Sequence, residues 1–485
     1  MDRRLACWLG GIALGTAAVS ATCLAGWSWG VPGEWQWLHR GLGLGRLWAL
    51  LPGAGIGGLA AWRSLRQRAG RGQAAATAAL LWVGALAWWL SLAALQPHWW
   101  VRGATTIASP VATTYFNEAT RISDPKAYLA DYPALMATFT QHASTHPPGP
   151  ILLFWGINRL VAGSGGMQAA LRAALGTEGT ELAAALNRAF GGMRGYSPLT
   201  GAEAMGALLA ALLLPAVGAL AAPLVYLCGR RLGGHRAGAT AGVLAMLVPA
   251  WALFSPEIDQ VLVALSALCC LGCAWAVRWR SFWAAALAGL ALGAALLVSL
   301  GAGALATMAL VWALWEGKGA WGRLRVAAGL AAGTAAVLVA VQLSLGLDLW
   351  AMLRAGMAAH RTITTETATR SYLPWLVWNP VDFALFAGVG VTAWALVALR
   401  RRPEQARGLL GGWAVTMVAL VLSGVVRGEV GRIWGFLMVP AVVGAGLALA
   451  RLAGGRYRWA LIVTAACLAL QVVVFRLTLL LILEY

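Results

Sequence analysis

Apolar runs of roughly membrane-spanning length follow one another from residue 6 to residue 481, broken by short basic turns and by a few longer polar loops that hold most of the acids. At about 20 apolar residues per crossing, with shorter ones tolerated, the pattern predicts spans at 6–28, 47–62, 75–96, 203–227, 237–255, 259–277, 282–299, 302–315, 326–346, 376–399, 409–426, 433–450 and 459–481. Within each run the apolar residues occupy every face of the helix instead of one stripe, so lipid is the solvent they meet. The expected fold is an all-α, polytopic transmembrane bundle of about thirteen spans.

Charge checks the order of the crossings. The clusters Arg3/Arg4, Arg63/Arg66/Arg68/Arg71, Arg230/Arg231/Arg236, Arg278/Arg280, Lys318/Arg323/Arg325, Arg400/Arg401/Arg402/Arg407 and Arg451/Arg456/Arg458 all fall on one side of the predicted bundle. The positive-inside preference makes that side cytoplasmic and the first helix a retained span, too long in its apolar part for a signal peptide. Of the 17 acids, only Asp2, Glu316 and Glu404 fall on that side. The net charge of +19 is distributed over the same turns, so it reads as topology signal and contact with lipid headgroups, and nucleic acid is excluded as a partner. All seven cysteines lie in predicted spans, where small polarizable packing residues are the expected use, including Cys270-x-x-Cys273. The 27 tryptophans mark membrane interfaces.

The chain divides into N-terminal spans (1–97), an external region (98–202) and a second set of spans (203–485). The stretch 151–163 is too short to cross hydrocarbon and is expected to lie in the interface, followed by amphipathic helices over 166–194. Three more external pieces follow: the turn 255–259, the loop 347–375 with Arg354, His360, Arg361, Glu366, Arg370 and Tyr372, and the segment 427–434. The predicted location is the cytoplasmic membrane.

Only 11% of the residues are charged, yet residues 98–163 gather Glu118, Asp124, Lys126, Asp131, His142 and His146. Ionisable groups beside hydrocarbon are kept where they are paired, wetted or used, which makes this loop the first place to look for function. Tyr115-Phe116-Asn117-Glu118-Ala119 is followed by His146-Pro147-Pro148-Gly149-Pro150-Ile151-Leu152-Leu153. Proline suits a first helical turn, and the free amides there suit phosphate. His142 and His146 invite a metal reading, but the Pro-Pro step argues against one continuous helix and no third ligand is evident. No cofactor is expected, with a divalent metal as the weaker option.

These residues resemble a family. In the protein O-mannosyltransferases and the bacterial lipid A aminoarabinose transferases, both of GT-C type, an aromatic-rich short helix in the first external loop precedes a His/Lys-Pro-Pro motif that opens an apolar helix. His146-Pro147-Pro148 is similar to that motif and Tyr115-Phe116…Ala119 to that helix. Leu227-Cys228-Gly229-Arg230-Arg231, Ser255-Pro256…Asp259 and Arg432…Pro440 resemble later landmarks. The resemblance implies a GT-C fold and transfer of a sugar from a polyprenyl-phosphate carrier to a glycan, lipid or protein acceptor, at the external face. One feature departs from the family. The acid expected just before the aromatic pair is absent from Val111-Ala112-Thr113-Thr114, so a displaced acid would serve as base. Glu118 is the first choice and Asp131 the second, with Asp124 also available. His146, Arg361, Arg370 and Arg432 are the expected donor-phosphate contacts, and Tyr115, Glu257 and Asp259 would orient substrate. Against these stand plainer readings: Glu118 paired with Arg121 or Arg102, Asp131 bracing a loop helix, and Asp382 with Asn379 as packing groups. A secondary transporter or lipid flippase, and a ligase or polymerase of lipid-linked glycans, are the alternatives.

Overall fold

A computed structural model describes residues 3–40, 43–66, 70–316, 319–363 and 370–481; Asp2, Arg68, Lys318 and Glu366 lie outside them. Each of the thirteen predicted stretches is helical over most of its length, from Arg3–Leu24 to Gly454–Thr478. The molecule is a polytopic helical bundle. Among the described residues its only strands are two-residue pairs, Gly30–Val31 with Trp35–Gln36 and Leu38–His39 with Leu479–Leu480.

Among the described residues, seven helices are long and apolar enough to cross a membrane, or eight with one bent pair, and four shorter apolar helices accompany them. The 46-residue stretch Gly201–Met246 counts once there. It nevertheless doubles back at Gly234, whose φ of 81° leaves the helical region. Gly238 then lies against the Tyr226 carbonyl and Gly242 against Ala222, an antiparallel hairpin closed by two glycines too crowded for a Cβ. The basic Arg230-Arg231 turn is the tip of that hairpin, as the charge pattern requires.

Two expectations need correction. The span expected over 376–399 is broken: Tyr372–Ala387 and Val389–Arg401 meet at 109° around Gly388, which has a φ of 92°. The chain therefore contains an interrupted helix, although the sequence pattern suggested no such pair. The span expected over 237–255 ends at Met246, and Pro249–Leu253 is a separate short helix because Pro249 starts a new first turn.

Close approach of backbones holds the helices together, since lipid leaves no hydrophobic gain for their association. Gly53 meets Ala87 and Ser91, and its amide donates to Ser91 Oγ at 2.9 Å. At the basic end, Arg236 donates to the Leu452 carbonyl at 2.6 Å and His235 Nε2 lies 3.1 Å from the Ser64 carbonyl, so three basic turns share one end of the bundle.

The other end is rich in loops. Residues 98–190 form seven short α-helices and a 3₁₀ turn with an apolar core of their own. Phe116, Ile151, Phe154, Leu186 and Phe190 pack there against Met205 and Leu208 of the helix Gly201–Ala219. The helix Gly149–Ala162 starts at the Pro-Pro step as expected, with Pro148 as its N-cap.

Candidate active site

Four segments converge at the loop-rich end, and each is fixed locally. Gln260 donates from Nε2 to the Trp251 and Phe254 carbonyls, at 2.9 and 3.0 Å, and shapes the turn that carries Glu257 and Asp259. Trp251 Nε1 donates to the Gly435 carbonyl (2.9 Å) and Ser266 Oγ to the Phe436 carbonyl (2.8 Å), which ties that turn to the segment 430–437. Asn379 and Asp382, one helical turn apart, hold the stretch that leads into it, residues 426–431. Asn379 donates to the Val426 carbonyl (2.7 Å) and accepts from the Gly428 amide (3.0 Å); Asp382 accepts from the Gly431 amide (3.0 Å) and from Trp37 Nε1 (2.7 Å). Between these grips Glu429 sits at a φ of 57°. A non-glycine residue in that region persists where its surroundings over-determine it, a pattern that recurs at functional sites.

At the centre is Arg432. Its Nη1 lies 3.1 Å from Glu257 Oε2 and its Nη2 3.1 Å from Glu429 Oε2. Arg370 Nη2 lies 3.6 Å from the other Glu429 oxygen, while Arg370 also donates to the Arg427 carbonyl and stacks near Trp35 and Trp375. Arg370 Nε is buried with no acceptor among the described residues. Below this network lie His142 and His146 with ring centroids 5.9 Å apart, and the Tyr115 ring 5.8 Å from His146. Tyr132 Oη donates to the His146 carbonyl at 2.8 Å and holds the motif in place.

Burial decides the charges. It pushes the Glu257 carboxyl up, to about 7, against the pull of Arg432 and with the help of Asp259, which lies within hydrogen-bond reach. Burial opposes the Arg432 charge, but Glu257, Glu429 and Asp259 more than offset it, so this guanidinium is held protonated beyond its usual range. Both histidines are lowered, chiefly by burial and next by Arg432 at His142, and are neutral at physiological pH. Burial and Asp259 raise the Tyr115 phenol.

Tyr115, His146, Glu257, Asp259, Arg370 and Arg432, named from the sequence, therefore meet in one place. Glu118 and Asp131 do not join them. Glu118 is buried on the side facing Tyr128 and Tyr132 and is paired with Arg121 at 2.7 Å; burial raises its carboxyl and Arg121 lowers it. Asp131 is exposed at the joint of two short helices, where its carbonyl accepts from the Ala134 and Leu135 amides. Asp124 caps the helix Pro125–Ala130 through the Lys126 amide. Arg361 is exposed on the helix Leu349–Thr362. Glu429 was missed by sequence reasoning, although its place between Arg427 and Arg432 in a loop after a long apolar run was a signal of sorts. Among the described residues no group of three or more His, Cys, Asp or Glu side chains could hold a metal ion.

Fold and site together define a polytopic helical membrane protein with a buried carboxylate–guanidinium centre, lined by neutral imidazoles, at its loop-rich end. No family model and no curated protein matches the chain. Among solved structures it is similar to the oligosaccharyltransferase of Archaeoglobus fulgidus. With the structure in complex with zinc and sulfate it shares 15% identity over 73% of this chain and 48% of that one, at a TM-score of 0.39. With the structure tethered by a disulfide to an acceptor peptide containing the NVT sequon, the values are 12%, 95%, 55% and 0.38. The chain spans about half the length of that enzyme.

Proposed function

We propose that this protein is a GT-C-type membrane glycosyltransferase that moves a sugar from a polyprenyl-phosphate carrier to an acceptor hydroxyl of a glycan, lipid or protein, at the external face of the cytoplasmic membrane. The observation that carries this reading is the Glu257–Asp259–Arg432 cluster beside Tyr115. The acid missing from residues 111–114 has a substitute in space, supplied by the turn 255–259 instead of by the first loop. In this reading the acceptor oxygen attacks the anomeric carbon and its proton passes to the Glu257 carboxylate. The bond to the carrier phosphate breaks, and the departing oxygen's charge falls to Arg432 and Arg370. Those two guanidiniums share Glu429, so the phosphate replaces Glu429 as their partner, and Arg370 Nε is a further donor for it. Asp259 keeps Glu257 basic enough to take a proton near neutral pH.

The test is transfer, or donor hydrolysis, by the purified protein in lipid vesicles loaded with a polyprenyl-phosphate sugar. Glu257→Gln should lower turnover by about a hundredfold or more, and Glu118→Gln should leave it within a few-fold. The reverse ranking would return the base to Glu118. Substrate uptake by the vesicles without any transfer would sink the transferase reading and favour a transporter.

A further inference from the structure

Between the helices Arg3–Leu24 and Leu50–Arg66 the chain makes a small hairpin, the strand pair Gly30–Val31 with Trp35–Gln36, and its tip reaches Arg370. The hairpin is fixed within itself. The Glu34 amide donates to the Val31 carbonyl at 3.1 Å and closes the turn, and the Trp37 amide donates to the Trp29 carbonyl at 2.8 Å. Gly30 has a φ of 133°, and a Cβ there would stand 2.2 Å from the Trp35 carbonyl oxygen, so only glycine lets the two strands close. The bond from Trp37 Nε1 to Asp382 then anchors the hairpin to the helix Tyr372–Ala387.

At the tip, Glu34 Oε2 accepts from the Ser371 amide at 2.9 Å and from Trp375 Nε1 at 2.7 Å, partners 337 and 341 residues further along the chain. Both partners border Arg370. Ser371 follows it in sequence, and the Trp375 ring lies 6.0 Å from its guanidinium, while the ring of Trp35, next to Glu34, lies 5.8 Å from it. Ser371 is also the N-cap of the helix Tyr372–Ala387, so the carboxylate sits where the helix dipole favours negative charge. Burial works against that charge, and the Ser371 and Trp375 donors together with Arg370 outweigh it, holding the carboxyl below its usual range. We propose that Glu34 is a positioning residue for the donor phosphate. It fixes the backbone beside Arg370 and one of the two rings that flank it, and so aims the Arg370 guanidinium at Glu429 and at the phosphate that takes the place of Glu429. The ligand in this inference rests on the transferase reading; the placing of Arg370 by Glu34 does not. Both hydrogen bonds end on one oxygen, so a glutamine at residue 34 can keep both through its amide oxygen while losing the charge, and an alanine loses both.

The test has two readouts on the full chain in phosphatidylcholine nanodiscs. The first is binding of undecaprenyl phosphate, supplied at graded content and counted by native mass spectrometry. Glu34→Ala should weaken it about tenfold, and Glu34→Gln should stay within about threefold of wild type. Undiminished binding in Glu34→Ala would overturn the proposal, and so would a Glu34→Gln variant as weak as Glu34→Ala, because charge and not the two hydrogen bonds would then be what Glu34 supplies. The second readout needs no ligand. Glu34→Ala, Arg370→Ala and the double variant are melted side by side, and the two losses should fall short of adding, since part of what Glu34 holds is already gone without Arg370. Strictly additive shifts would overturn the proposal whatever the protein transfers. A wild type that binds no undecaprenyl phosphate would instead count against the transferase reading, and the melting cycle alone would then decide the role of Glu34.

Discussion

Glu257 is the residue on which the chemistry turns, because three forces act on it at once. Burial and Asp259 raise its carboxyl to about 7, and Arg432 limits the rise. Its folded value lies above the ordinary carboxylate range, so between the two values the folded chain holds a proton that the unfolded chain has released, and stability falls as pH climbs through that window. Activity has the opposite sign. A base must be deprotonated, so turnover should rise with pH through about 7. Asp259→Asn removes one of the groups that raise Glu257, so this acid limb should move to lower pH while the maximal rate changes less; a limb unmoved by Asp259→Asn would deny that Glu257 is the titrating base. From the sequence, Glu118 ranked first among the acids near Tyr115 and Asp131 second. Glu118 stood closest along the chain, but Arg121, three residues on at the end of its short helix, pairs with it.

Elements show how the ranking was decided. The helix Tyr372–Ala387 presents Asn379 and Asp382 to the segment 426–431, and that grip sets Arg432 against Glu257. Neither residue needs to touch substrate. Asp382→Ala leaves the Gly431 amide and the Trp37 indole without their acceptor, a loss of about 1–3 kcal/mol for each buried group left unsatisfied. The expected result is a lower melting temperature together with weaker donor binding, and a variant that melts as wild type does would show the grip to be dispensable. Gly428 is equally constrained. Its φ is 90°, and a Cβ there would stand 2.8 Å from Arg370 Nη1 and 3.0 Å from the Trp375 ring. Gly428→Ala should therefore displace Arg370 and weaken donor binding before it alters the rate of a saturated enzyme. Asn379 and Asp382 could be read from the sequence as packing groups, but their partners lie 47 to 49 residues on and belong to a loop without periodicity.

At the scale of the whole molecule, basic turns gather at one end of the bundle and the acidic centre at the other. If the positive end is cytoplasmic, Thr180→Cys in a background lacking the seven native cysteines should react with a membrane-impermeant maleimide on intact cells. Gly455→Cys should react only after permeabilisation, and labelling in the opposite order would invert the orientation and place the centre inside. The sequence by itself determined the class of fold, since helix is the way a single apolar segment satisfies its own backbone in lipid, and it determined which turns share an end, since charge resists translocation. It also marked the Pro-Pro start of the helix Gly149–Ala162, a local matter of which residues tolerate a first turn. Only the tertiary structure decided where the chain doubles back at Gly234, where it breaks at Gly388, and which acid meets Arg432. Hydropathy averages over the first two, because a glycine in a small-residue helix looks the same whether it continues, turns or bends. The third depends on bringing residue 257 to residue 432, and that contact is set by the packing of helices whose lipid-facing and protein-facing sides carry the same apolar residues.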